Sequence, residues 1–133
     1  MDAQRLKDNF ARVGAHGQVV AEYFYADLFH RNPQLRVLFP ASMARQHKVL
    51  LEALANIVSL VDNTPELVPY LEELGRQHRG FGVRAHHYPE VGTSLLATLR
   101  YFTGDDWDAG LEADWTSAYD VVSQVMIGEP ADA

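Results

Sequence analysis

Apolar residues recur at three- and four-residue steps along almost the whole chain, and no stretch shows the strict alternation of a half-buried strand. That period is the signature of helices with one buried face, so the spacing predicts an all-α domain. Leu6, Phe10 and Val13 form the stripe of a first helix over about 2–16, and Val20, Phe24 and Leu28 mark a second over about 18–31. Asn32-Pro33 ends the second, because the residue before proline is pushed out of the helical region. A short turn, PQLRVLF, runs to another stop at Phe39-Pro40. The next helix, about 41–60, places Met43, Gln46, His47, Leu50, Leu54, Ile57 and Val61 on or near one face. Pro65 suits the first turn of a helix over 65–79, after which GFGV breaks the chain. Two more helices are predicted: 88–102, with Val91, Leu95, Leu99 and Phe102 inward, and 111–127, behind a GDDWD loop and cap.

The 133 residues, 47% of them hydrophobic, suffice for one domain with a core of its own and leave no room for a second. Eleven Lys and Arg against 18 Asp and Glu give a formal charge of -7, which disfavours nucleic acid and anionic membrane partners. The absence of cysteine excludes disulfides, thiolate metal sites and thiol nucleophiles. No apolar run approaches the roughly 18 residues of a membrane span, and MDAQRLKDNF has no signal-like core. A soluble, cytoplasmic protein is the expectation.

Leu67, Leu71 and Leu74 are followed at the same spacing by His78, which therefore continues an apolar stripe. A lone histidine there is most often a buried neutral imidazole with both nitrogens hydrogen-bonded. It cannot build a zinc site alone, and the other five histidines offer no paired spacing. No GxSxG elbow supports serine catalysis. A cofactor that needs one protein ligand is haem, whose iron takes one axial histidine while the porphyrin occupies an apolar slot. Leucines on the helices of His78 and Gln46 could line such a slot, Phe39 could wedge it, and Tyr25 and Gln46 are candidate polar groups on its far side.

The blocks FYADLFHRNPQLRVLF, MARQHKVLLEAL, LGRQHRGFGV, HYPEVGTSLLATL and ADWTSAYDVVSQVMI, in this order and spacing, resemble the globin domain of bacterial flavohaemoglobins and single-domain bacterial haemoglobins. The resemblance covers about 2–127 and implies a globin fold, about six to eight helices around one haem b. It implies His78 as the iron ligand, Phe39 packed on the haem face, and Tyr25 with Gln46 and Leu50 on the ligand side, with Leu74 and Val83 beside the cofactor. Tyr88 is implied to support His78 through its hydroxyl, together with a glutamate near the end of the last helix. That glutamate is expected at position 130, where this chain has Pro130, with Glu129 one residue earlier, and Gln77 stands where relatives commonly carry lysine.

The resemblance further implies binding of O2, NO and CO and a nitric oxide dioxygenase activity, with non-enzymatic O2 storage or delivery as the alternative. FAD and NAD(P)H are not expected on this chain, so reducing equivalents would come from a separate or deleted flavin reductase. Residues 1–128 are read as the globin domain and 129–133 as a tail or the start of a linker.

Overall fold

The structure is a computed structural model, and it describes residues 1–128; the expected tail or linker, and with it the glutamate sought at 129 or 130, lies outside the described residues. Six α-helices are present among the described residues: α1 Ala3–Gly14, α2 Val19–Arg31, α3 Ala44–Ser59, α4 Thr64–Gly80, α5 Tyr88–Thr103 and α6 Ala109–Ile127. Three 3-10 segments, Pro33–Leu38, Ala85–His87 and Gly104–Asp106, join them, and no strand occurs in this part of the chain. The all-α expectation therefore holds.

Local chemistry sets the helix ends. The Asp2 carboxylate accepts from the Arg5 amide at 3.0 Å and starts α1, and Asp108 does the same for α6 by accepting from the Leu111 amide at 2.7 Å. α6 consequently begins at Ala109, two residues ahead of the expected start. α3 starts later than the expected residue 41. The Arg36 guanidinium donates to the carbonyls of Phe39, Pro40 and Ala41 at 3.2, 2.9 and 3.0 Å, which holds them in an open bend, and the helix opens only at Ala44.

The most extensive helix contacts are α2 against α5 and α4 against α6. Glycines make two of the crossings with α6 close: a Cβ on Gly75 of α4 would fall 2.2 Å from the Met126 carbonyl oxygen, and one on Gly92 of α5 would fall 2.7 Å from the Tyr119 ring. Leu6, Val13, Val20, Val58, Leu99, Leu111, Trp115 and Ala118 form one buried cluster, drawn from α1, α2, α3, α5 and α6. A polar seam runs through it. The Trp115 indole donates to buried Asn9 at 2.8 Å, and the Asn9 amide donates to the Thr103 hydroxyl at 3.0 Å. Each side chain of this seam thus has a partner, as a low-dielectric interior favours, whereas the buried Ser94 hydroxyl and Glu90 Oε2 have none among the described residues.

α3 is the exception to this close packing. Val58 is its one fully buried residue, while the face expected to point inward, Gln46, His47, Leu50, Leu54 and Ile57, is only half-buried. α4 continues the theme, burying Leu67 and Leu71 but leaving Leu74 and His78 half-exposed. The two helices meet at their adjoining ends, where Ile57 and Leu60 pack with Leu67 and Leu71; beyond those ends they make no extensive contact and leave half-buried apolar side chains, Leu50 and Leu74 among them, on either side of a gap.

Gly75→Ala is expected to lower stability by about 1–3 kcal/mol in urea unfolding followed by circular dichroism, because the added methyl meets backbone that cannot yield. Gly80→Ala, whose Cβ would meet nothing within 4 Å, is expected to be neutral or slightly stabilising. Equal effects at the two positions would contradict the close α4–α6 crossing.

Candidate functional site

Two walls border the gap. On the first, Phe24, Tyr25, Leu28 and Leu35 are buried together, with Phe29, Phe39, Met43 and Leu50 packed partly buried against them. The expected residues Tyr25, Phe39 and Leu50 are thus brought into one cluster. Gln46 joins them through a hydrogen bond, its amide donating to the Tyr25 hydroxyl at 3.0 Å. The phenol oxygen acts as acceptor in that bond, which leaves its own proton to be donated elsewhere. Burial pushes the Tyr25 phenol pKa above the ordinary tyrosine value, partly opposed by the Gln46 bond, so the group stays protonated at neutral pH.

The Tyr25 ring is enclosed by other rings. Phe29 and His47 lie nearly parallel to it, with centroids at 5.8 and 5.5 Å, and Phe24 and Phe39 meet it edge-on at 4.9 and 5.4 Å. Phe39 reaches this place because Arg36 ties down the carbonyls beside it while its guanidinium lies over the Phe29 ring at 5.5 Å. The helical period puts His47 on the inward face but says nothing of its ring contact with Tyr25, which rests on the packing of two helices.

The second wall is built on α4 and α6. Leu67, Leu71, Tyr88 and Met126 are buried together, and Leu74 and Val83 pack partly buried against them. His78 sits at the end of α4 with its Nδ1 2.7 Å from the Leu74 carbonyl oxygen. A carbonyl can only accept, so this bond requires the proton on Nδ1 and leaves the Nε2 lone pair unprotonated in the neutral ring. An imidazole held in this way is prepared to bind a metal through Nε2. The buried, doubly bonded histidine that usually explains such a sequence position is not what is found here.

Tyr88 belongs to the same wall. Its ring is buried beside Leu71 and Met126, and no hydrogen bond joins its hydroxyl to His78 among the described residues. Burial raises its pKa, with the nearby Arg79 charge opposing the shift. The Tyr119 hydroxyl, which the sequence did not single out, donates to the Tyr88 carbonyl at 2.6 Å and fixes the start of α5 against α6. Gly82, at φ +91, lets the chain leave α4 and pass against Leu38, so the turns that end the two walls meet.

Among the described residues, no three His, Asp or Glu converge in a group that could hold a metal ion by themselves, and no helix is long and apolar enough to cross a membrane.

Comparisons with known proteins agree with this architecture. Flavohemoproteins from Vibrio cholerae and Bacillus subtilis are 31% and 30% identical to the chain over 125 and 131 residues, covering 92% and 96% of it. The chain spans about a third of those relatives' own length, 32% and 33%. Among solved structures, an engineered carbene transferase from Rhodothermus marinus, described as a candidate nitric oxide dioxygenase, superposes with a TM-score of 0.84 at 26% identity, covering 98% of this chain and 91% of its own. A bacterial globin from Campylobacter jejuni, 23% identical, shares the fold with a TM-score of 0.82, covering 94% of this chain and 91% of its own. The sequence profile of the family described as Globin matches residues 22–126, and with that match and this fold the chain belongs to the globin family.

Proposed function

We propose that residues 1–128 form a haem b-binding, O2-binding domain that acts as a nitric oxide dioxygenase when a flavin reductase supplies electrons. The observation that carries the haem assignment is the His78 tautomer: Nδ1–H is committed to Leu74, and Nε2 is left to bind iron at the edge of an apolar gap. The donor set fits the cofactor. Haem asks for one nitrogen ligand and a large apolar slot, and the half-buried Leu50, Leu54, Leu74 and Val83 supply apolar surface that the protein itself leaves uncovered. Phe39 would pack on the porphyrin, and His78 would be the axial ligand.

When bound, haem supplies a redox-active iron at which O2 is taken up and NO is oxidised to nitrate. The chain's own contribution is orientation and charge. The Gln46 bond leaves the Tyr25 O–H free to donate on the ligand side, and a donor aimed at developing negative charge in a dry pocket holds an oxygen ligand more firmly. The Leu74 carbonyl fixes the tautomer and orientation of the imidazole by accepting from Nδ1. Tyr88, buried beside Leu71, supports this wall by its packing. The similarity to flavohemoproteins and to the Rhodothermus protein supports the NO reading.

His78→Ala is expected to lower haem affinity at least about 100-fold in transfer to apomyoglobin, the scale set by loss of a metal ligand. Tyr25→Phe should keep haem but release O2 about tenfold or more faster in stopped-flow displacement by CO, as loss of a hydrogen bond to a charged group predicts. An unchanged off-rate would place the donor elsewhere. Because burial raises the Tyr25 pKa, its proton is retained below that raised value and lost only above it, so the wild-type off-rate should stay flat from neutral pH to about pH 10. A rise beginning near pH 8 would contradict that. Mixed with NO, O2 and a flavin reductase, the protein should form many nitrates per haem; a single nitrate per haem would favour O2 storage or delivery.

A further inference from the structure

We propose that His47 is a positioning residue for Tyr25: it clamps the face of the phenol ring so that the hydrogen bond from Gln46 leaves the O–H pointing in a single direction. The inference rests on the haem-binding reading above and goes beyond it by assigning a role to a residue that the sequence pattern placed on an inward face and the family likeness left without one.

A phenol on a helix has two soft torsions, and a single hydrogen bond to its oxygen restrains the oxygen without fixing the ring plane. Gln46 supplies that one bond, at 3.0 Å. The ring plane has to be set by what packs on it. Phe29, one turn along on the same helix, lies at 5.8 Å and 26°, and His47, from α3, lies at 5.5 Å and 26°. Phe24 and Phe39 close the ring's edges. Of the two nearly parallel neighbours, Phe29 moves with α2 and so cannot fix Tyr25 relative to α3. His47 can, because it is adjacent to Gln46 on α3. Residues 46 and 47 therefore act as a pair, the first holding the phenol oxygen and the second its ring.

The His47 contribution comes through its face. Neither imidazole nitrogen makes a hydrogen bond among the described residues, and half-burial leaves one side of the ring against Tyr25. A planar replacement should therefore preserve the function, and an apolar residue of similar bulk without a flat face should not.

The test compares His47→Phe, His47→Leu and His47→Ala in the haem-loaded protein, with Tyr25→Phe as reference. The readouts are the C–O stretching band of the ferrous CO complex and the O2 dissociation rate. A single band in the wild type reports one orientation of the Tyr25 dipole, and Tyr25→Phe should move it to higher frequency. His47→Leu and His47→Ala should split or broaden the band and release O2 about three- to tenfold faster, the factor expected for loss of an aromatic pair. His47→Phe should restore both readouts to the wild-type values. If the leucine and alanine variants keep a single wild-type band and off-rate, the proposal is overturned, even where their thermal stability has fallen. If His47→Phe behaves like the alanine variant, the stacking account is overturned as well. Should His47→Ala fail to retain haem, the leucine variant decides. Failure of the underlying reading looks different, since a wild-type protein that takes up no haem gives no C–O band at all.

Discussion

Apolar faces on neighbouring helices close on one another in water unless something else fixes where the helices lie. In this molecule α3 and α4 meet only at their adjoining ends, where Ile57 and Leu60 pack with Leu67 and Leu71, and are otherwise placed by contacts made on their other sides. α4 is seated on α6, where Gly75 touches the Met126 backbone and Arg79 donates to the last carbonyls of that helix, Met126 at 2.9 Å and Ile127 at 3.2 Å. α3 is anchored at its far end by Val58 in the main cluster and at its near end by the bond from Gln46 to Tyr25. What lies between is an apolar gap that the fold pays for elsewhere, and the chemistry proposed for the chain depends on it.

Both walls of the gap use the same device. A hydrogen bond engages one atom of a two-sided group and thereby decides what the other side can do. At His78 the Nδ1 proton is given to a carbonyl, which leaves a nitrogen lone pair. At Tyr25 an oxygen lone pair is taken by an amide, which leaves a proton. A ligating base and a donating acid are prepared by local geometry, with the acid kept protonated by burial. Selectivity between atoms of one side chain is achieved by hydrogen bonds to neutral groups, a carbonyl and an amide.

The helices were legible because their stripes are regular: Val20, Phe24 and Leu28 are buried, as are Leu67 and Leu71. His78 was legible for the same reason, as a polar residue on an apolar stripe. The late start of α3 was not, since it depends on Arg36 reaching the carbonyls of the bend that follows its own segment. Nor was Asn9, which looks like a surface residue until Trp115, 106 residues away, is brought to it. The inward face of α3 read as ordinary core, because periodicity reports that a stripe is apolar and not what covers it. The family likeness implies that the Tyr88 hydroxyl supports His78, but no spacing pattern announced the bond from His78 Nδ1 to the Leu74 carbonyl, an i−4 neighbour within reach at a helix end.

The central claim is that the gap between α3 and α4 takes one haem with His78 on its iron, and optical absorption tests it most directly. The purified protein should titrate with hemin to one equivalent, show a Soret band in the ferric and ferrous forms, and shift that band when CO is added to the ferrous form, as expected for a ferrous haem with an axial histidine. Hemin that remains in the spectrum of the free or non-specifically bound form, with no Soret shift on reduction and addition of CO, would contradict the account.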